Sequence, residues 1–334
     1  MYLEHFGFSR EPFDIAPNAD FLYLSKAHKK AFTYLSYALW NKDTFTLLTG
    51  EIGAGKTILL QHLLKTMPAT AQVLTIYQTQ LTPYELLYVI AEQLKLVSGQ
   101  DVPKPKLFQL LNDYIRQSKK NIVIVVDEAQ SFSRETLEEL RLLAGIDIFN
   151  AKTNVNIILC GQPELKSIVE GGSLEQLNQR IKLRFHLSPL DFEETKEYIR
   201  YRVNKAGQKL EIFTLDAVKR MYEFTGGVPR LINVLADTAL TCGYADGFYA
   251  ISSRQIDEAR GELGWERHPP VQLKDDKRKS TSNVIELSRG LAGEALTNKD
   301  VVSAINRIEA HLADIANSLK QLTSEAEVDK KIKQ

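Results

Sequence analysis

The chain has 334 residues, of which 42 are basic and 42 are acidic, so its formal net charge is zero. This length predicts two or three domains, and the neutral charge gives no support to a protein whose overall field recruits nucleic acid or another polyanion. The two cysteines, Cys160 and Cys242, exclude a disulfide framework and lack the spacing of a zinc site.

Residues 1–40 are rich in aromatic side chains and contain Pro12 and Pro17, and an apolar-periodic stretch runs from Lys26 to Trp40. We expect an irregular arm that leads into a helix. The N-terminus lacks the apolar stretch of a signal peptide, and no apolar run approaches the roughly 20 residues of a membrane-spanning helix. These features predict a cytoplasmic protein, which partners could hold at the periphery of the inner membrane.

Short apolar runs alternate with helical patterns between residues 45 and 190. The runs are continuous, as is typical of parallel strands that are covered on both faces. This order predicts an α/β domain over residues 1–190, with a doubly wound parallel sheet and right-handed crossovers. The predicted strands are Phe45–Thr49, Val73–Tyr77, Ile122–Val126, Val155–Cys160 and Arg184–Leu187, with helices such as Pro83–Leu94 and Arg134–Leu143 between them.

Strand patterns end near residue 190, and four helical patterns with polar starts follow. They predict a small all-helical domain over residues 191–265, with Thr214 and either Ser252 or Ser253 as N-caps. The four helices are Asp191–Ala206, Thr214–Phe224, Pro229–Tyr244 and Ser252–Leu263.

The segment after residue 265 is charged and contains prolines, which predicts a flexible linker over residues 266–297. A last helix is predicted over residues 298–323, before a polar tail at residues 324–334. Its apolar residues are spaced four and three apart for about three heptads, the pattern of a coiled coil. We therefore expect self-association or a coiled-coil partner there. The apolar seam consists of Val301, Ile305, Ile308, Leu312, Ile315, Leu319 and Leu322.

Residues 50–57 match the P-loop pattern G-x-x-x-x-G-K-[ST] in full. The glycines let backbone N–H groups point at phosphate oxygens, while Lys56 reaches the outer phosphates and Thr57 offers a hydroxyl to Mg²⁺. A predicted strand before the loop and a predicted helix after it argue against a chance match. The loop consists of Gly50, Glu51, Ile52, Gly53, Ala54, Gly55, Lys56 and Thr57.

The predicted strand Ile122–Val126 ends in Asp127 and Glu128. In open α/β sheets, ligands bind at the carboxyl ends of the strands. We expect Asp127 to hold Mg²⁺ and Glu128 to polarise the attacking water. An acidic strand end is a weak signal alone, but it gains weight about 70 residues after a P-loop. Together the two elements predict that ATP is bound with Mg²⁺ and hydrolysed.

The resemblance to a known family rests on motifs in this order: MYLEHFGF, PNADFLYLS, LLTGEIGAGKT, VDEAQ, LCGQPEL, QRI and GGVPRLIN. Over about residues 1–265, the chain resembles the AAA+ superfamily and, within it, the ExeA/GspA-like ATPases that include MshM. This resemblance implies that the helical domain is a lid on the nucleotide-binding core. Such relatives often carry a membrane span and a peptidoglycan-binding domain after the ATPase. Neither is visible in this sequence, which favours an MshM-like cytoplasmic ATPase.

The resemblance also implies roles for single residues. Gln162 matches sensor 1 and would align the water or the γ-phosphate, a polar strand end being the alternative. Arg230 matches sensor 2, and Pro229 at a helix start would present it in the first turn. Arg180 or Arg184 lies where the superfamily keeps its arginine finger, which completes a neighbouring subunit's site. An ordinary surface arginine is the alternative for each, and Arg180 is preferred.

The aromatic side chains of the arm are expected to pack near the adenine, as the segment before the P-loop does in this superfamily. A plain core role is the alternative for each ring. The rings belong to Phe6, Phe8, Phe13, Phe21 and Tyr23. Three histidines lack metal-ligand partners at a telling spacing and receive no role: His5, His28 and His62.

The resemblance implies an ATP-dependent homo-oligomer, a ring or a helix, that assembles or remodels a cell-envelope machine. Type II secretion systems and type IV pili are examples, and the C-terminal helix would bind a protein partner. Two alternatives stay open. Transposition regulators such as TnsC and TniB have related cores and assemble on DNA, which the neutral charge and the lack of a DNA-reading domain disfavour. The other alternative is a switch that binds ATP and turns it over slowly.

Overall fold

The computed structural model of the chain describes residues 1–16, 19–40, 45–68, 70–78, 80–99, 102–118, 120–145 and 155–265. Five strands form one sheet in the order β2-β3-β4-β1-β5, and all neighbouring strands are parallel. Parallel neighbours require a crossover between strands, which helices supply here. The predicted α/β fold with a parallel sheet is confirmed. The strands are β1 (Phe45–Gly50), β2 (Ala71–Ile76), β3 (Asn121–Val126), β4 (Val155–Gly161) and β5 (Ile181–Leu187).

The central strands β1 and β4 are buried throughout, whereas the edge strands β2 and β5 are only partly buried. Every residue of β1 and β4 is buried. In β5, exposed and less exposed residues alternate, and Arg184 and His186 lie on the exposed side. The strand begins at Ile181, three residues before its predicted start. The expectation of full coverage fails for β5 because it pairs only with β1 and lies at the edge of the sheet.

Helices cover both faces of the sheet. One face packs against α4 to α8, and the other packs against α2 and α3. The helices before and between the strands are α1 (Tyr2–Phe6), α2 (Lys26–Trp40), α3 (Lys56–Lys65), α4 (Pro83–Gln93), α5 (Lys104–Gln117), α6 (Arg134–Ala144), α7 (Glu164–Glu170) and α8 (Glu175–Arg180).

Between β5 and residue 265, four further helices form a bundle with its own apolar core. Asp191 and Glu194 form a capping box at the start of the first helix, which satisfies backbone N–H groups there. Thr214 and Ser252 are the N-caps of the second and fourth helices. The helical bundle consists of α9 (Phe192–Lys205), α10 (Leu215–Thr225), α11 (Pro229–Ala245) and α12 (Ser253–Glu262).

The N-terminal arm packs on the helical bundle. It starts with the short helix α1 rather than with irregular chain. Phe6, Phe8 and Phe13 are buried in the apolar core of the bundle. The guanidinium group of Arg202 on α9 donates hydrogen bonds to the backbone carbonyls of Pro12 and Asp14. The arm is therefore tied to the bundle by apolar burial and by a buried cation.

The predicted linker, coiled-coil helix and polar tail lie outside the described residues. None of the helices in the described ranges combines the length and the apolarity that a bilayer crossing requires.

Candidate functional site

The P-loop curls between the end of β1 and the start of α3. Gly53 and Gly55 have φ angles of 81° and 98°, which glycine adopts without steric cost. The Lys56 Nζ atom donates to the backbone carbonyls of Gly50 at 2.8 Å and Glu51 at 3.0 Å. The lysine ammonium therefore lies within the curl of the loop, close to the start of α3, where backbone N–H groups favour an anion.

The acidic end of β3 lies against the start of α3. The Thr57 hydroxyl donates to the Asp127 Oδ2 atom at 2.8 Å, and the backbone N–H of Glu128 donates to the Asp127 Oδ1 atom at 3.0 Å. A hydroxyl beside a carboxylate is a fitting pair of oxygen ligands for Mg²⁺, which usually takes one or two carboxylates plus substrate phosphates. Accordingly, a cage of three or more acidic, His or Cys ligands is not needed, and the described residues contain none.

Glu128 is held in a left-handed backbone conformation with a φ angle of 54°. Such a conformation costs a non-glycine residue about 1–3 kcal/mol and is common at functional sites. The Gln162 amide at the end of β4 donates to the Glu128 Oε2 atom at 3.3 Å, and the Gln130 amide donates to the same oxygen. The structure thus brings Gln162 to the predicted base, across two neighbouring strands.

A cavity of about 490 Å³ opens beside these groups. The P-loop and Glu128 contribute to its lining. The arm and the helical bundle also line it, with Phe21 and Tyr23 from the arm and Tyr198 and Asn233 from the bundle. Two of the five arm aromatics predicted to lie near the adenine therefore reach this cavity. The rings of the other three are buried in the bundle core, which was the alternative for each of them.

Arg230 lies at the wall of the same cavity. Pro229 is the first residue of α11, so Arg230 falls in its first turn, as predicted. The Arg230 backbone N–H faces the Gly53 carbonyl at 3.3 Å, and a Cβ atom on Gly53 would lie 2.4 Å from the Arg230 Cβ atom. The bundle and the P-loop are in direct contact here, and a larger residue at Gly53 would separate them.

His28 on α2 is packed beneath the P-loop. Its Nε2 atom would lie 2.7 Å from a Cβ atom on Gly55, and its Nδ1 atom lies 2.7 Å from the Ser25 Oγ atom. Burial lowers the pKa of His28 from 6.5 to about 4, against a hydrogen bond with the backbone of Ala54. The ring is therefore neutral at pH 7.

The two candidate finger arginines lie away from the cavity. The Arg180 guanidinium donates to the Arg141 carbonyl at 3.1 Å, at the end of α8. The Arg184 guanidinium donates to the Asn178 carbonyl at 2.8 Å and to the Asn178 side chain at 2.6 Å. Within one chain, neither arginine is among the residues that line the cavity.

Sequence reasoning missed several residues around the site. Gln130 was visible in the VDEAQ motif, two residues after Glu128, but its spacing alone suggests no partner. No sequence motif marked His28 as a site residue, because its contacts with the P-loop depend on how α2 packs. Three bundle residues at the cavity were also missed, since nothing in a helical pattern marks them: Tyr198, Arg202 and Asn233.

Residues 41–169 match the AAA domain family. The chain is 37% identical over 266 residues to General secretion pathway protein A of Aeromonas hydrophila, a match that covers 79% of this chain and 48% of that protein. The chain thus spans about half the length of this relative.

Solved structures share the fold at low identity. Cdc6p from Pyrobaculum aerophilum aligns with a TM-score of 0.61 at 17% identity, over 75% of this chain and 70% of that one. A chain in the structure of Drosophila ORC bound to DNA aligns with a TM-score of 0.59 at 15% identity, over 78% of this chain and 66% of that one. The resemblance predicted from the motifs is thereby confirmed, since the chain matches the AAA domain family over residues 41–169 and is similar to General secretion pathway protein A.

Proposed function

We propose that the protein binds ATP with Mg²⁺ in this cavity and hydrolyses it. The 2.8 Å contact between the Thr57 hydroxyl and the Asp127 carboxylate is the observation that carries the proposal. It joins the P-loop to an acidic strand end 70 residues away, with Glu128 beside it. A phosphate cradle, a pair of oxygen ligands and a carboxylate base then lie within one site.

The phosphates would lie over the start of α3, where backbone N–H groups and the helix dipole attract anions. Lys56 would release the carbonyls of Gly50 and Glu51 and pair with the outer phosphates. Mg²⁺ held by Thr57 and Asp127 would neutralise charge on the phosphate oxygens. Arg230, anchored against Gly53, would supply a second cation from the bundle.

Glu128 would act on the attacking water as a general base, a contribution typically worth about 10²- to 10⁴-fold in rate. Gln162 would orient that water or the γ-phosphate, since its amide already lies beside the Glu128 carboxylate. The part of the cavity lined by Phe21, Tyr23, Tyr198 and Asn233 would take the nucleoside, because aromatic and amide side chains suit a purine ring. A volume of about 490 Å³ lies in the usual range of ligand sites.

The work that hydrolysis drives is proposed from the relative whose name places it in a general secretion pathway. We propose an ATP-dependent homo-oligomer, with Arg180 as the finger, that assembles or remodels a protein complex of the cell envelope. Such a complex could be a type II secretion system or a type IV pilus, reached from the cytoplasmic side. Binding to duplex DNA that weakens steeply as salt rises would instead support the transposition-regulator alternative.

The phosphate role of Lys56 is tested by substitution. Lys56→Ala should weaken ATP binding by about 10- to 100-fold, since a hydrogen bond to a charged group is worth about 1.5–3 kcal/mol. The measurement is titration with a fluorescent ATP analogue. Lys65→Ala, at the exposed end of the same helix, is the matched control and should bind as the parent does. Equal affinity in both variants would contradict the proposed phosphate site.

Glu128→Gln should bind ATP with the parent's affinity and lose at least about 100-fold in turnover, because an amide cannot take a proton. Phosphate release and nucleotide titration measure the two quantities on one preparation. Glu164→Gln, at an exposed site, controls for the loss of a charge. Parental turnover in Glu128→Gln would remove Glu128 as the base, and lost binding would point to a direct role in holding Mg²⁺.

A further inference from the structure

Gln130 connects two strand ends that the proposed reaction uses. It lies in the single turn Ala129–Ser131 that follows β3. Its Nε2 atom donates to the Glu128 Oε2 atom, and its Oε1 atom accepts the backbone N–H of Gln162 at 3.0 Å. One partly buried side chain therefore spans from the carboxyl end of β3 to the carboxyl end of β4.

The orientation of this amide is set by its partners. A backbone N–H can only donate, so the Gln130 oxygen must face Gln162, and the Gln130 nitrogen must then face the carboxylate of Glu128. Turning the amide over would set like groups against each other at both ends. The Gln130 side chain therefore connects the backbone of Gln162 to the Glu128 carboxylate.

Two amide donors converge on one oxygen of Glu128. Gln130 and Gln162 both donate to its Oε2 atom. These hydrogen bonds fix the rotation of the carboxylate and leave its Oε1 atom to accept a proton from water. The left-handed backbone of Glu128 adds to this restraint.

The space for Gln130 is made by a glycine. A Cβ atom on Gly161, the last residue of β4, would lie 2.3 Å from the Gln130 Oε1 atom. Real Cβ atoms do not approach so closely, so any side chain at Gly161 would push Gln130 away from its partners.

We propose that Gln130 is a positioning residue for the ATPase reaction, which holds the Glu128 carboxylate in its productive orientation and couples it to Gln162. This inference rests on the hydrolysis proposed above. It assigns to the last residue of the VDEAQ motif a role distinct from that of the carboxylates before it.

Two substitutions of Gln130 itself test the inference. Gln130→Ala should lower kcat by about 10- to 100-fold, as expected for a misplaced catalytic group, with ATP affinity within about twofold of the parent's. Gln130→Glu keeps the shape of the side chain but sets a carboxylate oxygen against the Glu128 carboxylate in place of the amide donor, so it should lower kcat as Gln130→Ala does. Gln117→Glu, at the exposed end of α5, controls for the added charge and should keep the parent's kcat.

A third variant is expected to displace the Gln130 side chain without replacing Gln130 itself. Gly161→Ala should lower kcat as Gln130→Ala does, and combining the two substitutions should cost little more than either alone. Gly172→Ala, where a Cβ atom meets nothing within 4 Å, is the matched control. Far-UV circular dichroism and a melting curve show that each variant is folded.

The outcomes separate this inference from the proposed function. A kcat within about twofold of the parent's in Gln130→Ala or in Gln130→Glu would overturn the role of Gln130. That holds when Glu128→Gln is inactive in the same assay. Loss of ATP affinity in step with kcat would also overturn it, as that indicates general damage to the site. A parent protein without turnover would overturn the proposed function and the inference together.

Discussion

Among single residues, His28 shows how the P-loop is supported from below. Its ring is buried between Ser25 and the loop, and burial lowers its pKa to about 4. The unfolded chain binds a proton near pH 6.5, while the folded chain keeps the ring neutral until the pH is far lower. The stability that this contributes is therefore complete above pH 6.5 and is lost as the pH falls from 6.5 towards 4.

The expected change in unfolding free energy with pH follows from the pKa shift of His28. A change from 6.5 to about 4 corresponds to about 3 kcal/mol of unfolding free energy between these pH values. His28→Gln should therefore lose less stability than the parent when urea unfolding is compared at pH 7 and pH 4.5. His62→Gln, on α3, is the control for replacing a histidine by glutamine. If the His28→Gln and parent curves run parallel, the ring is not held neutral by burial.

Among the elements, the junction between the strand-rich part and the bundle depends on Gly227, before α11. Its φ angle is 77°, and a Cβ atom there would lie 1.9 Å from the Leu190 carbonyl oxygen. The Leu190 backbone N–H also donates to the Gly227 carbonyl at 2.9 Å. Two backbone segments thus touch directly, with no room for a side chain.

Gly247 offers a matched comparison, because its φ angle is 76° and a Cβ atom there meets nothing within 4 Å. Both Gly227→Ala and Gly247→Ala carry the left-handed strain of about 1–2 kcal/mol. Gly227→Ala adds a collision with backbone and should cost about 1–3 kcal/mol more. Urea unfolding at pH 7 measures both. Equal losses of unfolding free energy in the two variants would show that the junction accommodates the added methyl group with no loss of stability.

At the scale of the whole molecule, Arg180 does not line the cavity of its own chain, and we propose that it completes a neighbouring subunit's site. Its guanidinium rests on the Arg141 carbonyl at the end of α8. Arg180→Ala should bind ATP normally and hydrolyse it poorly, by about 10³-fold if it acts as a finger. Mixing it with Glu128→Gln protein should restore part of the turnover, because some mixed interfaces would join an intact finger to an intact base.

Arg184→Ala serves as the comparison, since its guanidinium is already satisfied by Asn178. It should keep parental turnover and gain nothing from mixing. Arg180 would lose its role if mixed oligomers form, as shown by differently tagged subunits, and turnover stays absent at every ratio. If Arg184→Ala instead loses turnover and mixing with Glu128→Gln protein restores it, Arg184 is the arginine finger.

Much of the fold follows from local pattern. The P-loop glycines, the apolar run before Asp127 and the caps at Asp191 and Thr214 act over a few residues. The strands and helices whose bounds the sequence predicted therefore lie within three residues of the observed ones. The edge position of β5 did not follow, because burial on two faces is decided by which strands lie beside it.

The composition of the site was determined only in part by sequence. The sequence identifies the P-loop at residues 50–57, Asp127 and Glu128, because these residues come at the ends of predicted strands. The carboxyl ends of parallel strands lie at one edge of the sheet. The network of Gln130 with Gln162, the support from His28 and the contact of Arg230 with Gly53 were decided by the tertiary structure. These contacts join residues that are far apart in the chain. They exist only because the strand order sets β4 between β3 and β1, and because the bundle folds back onto the P-loop.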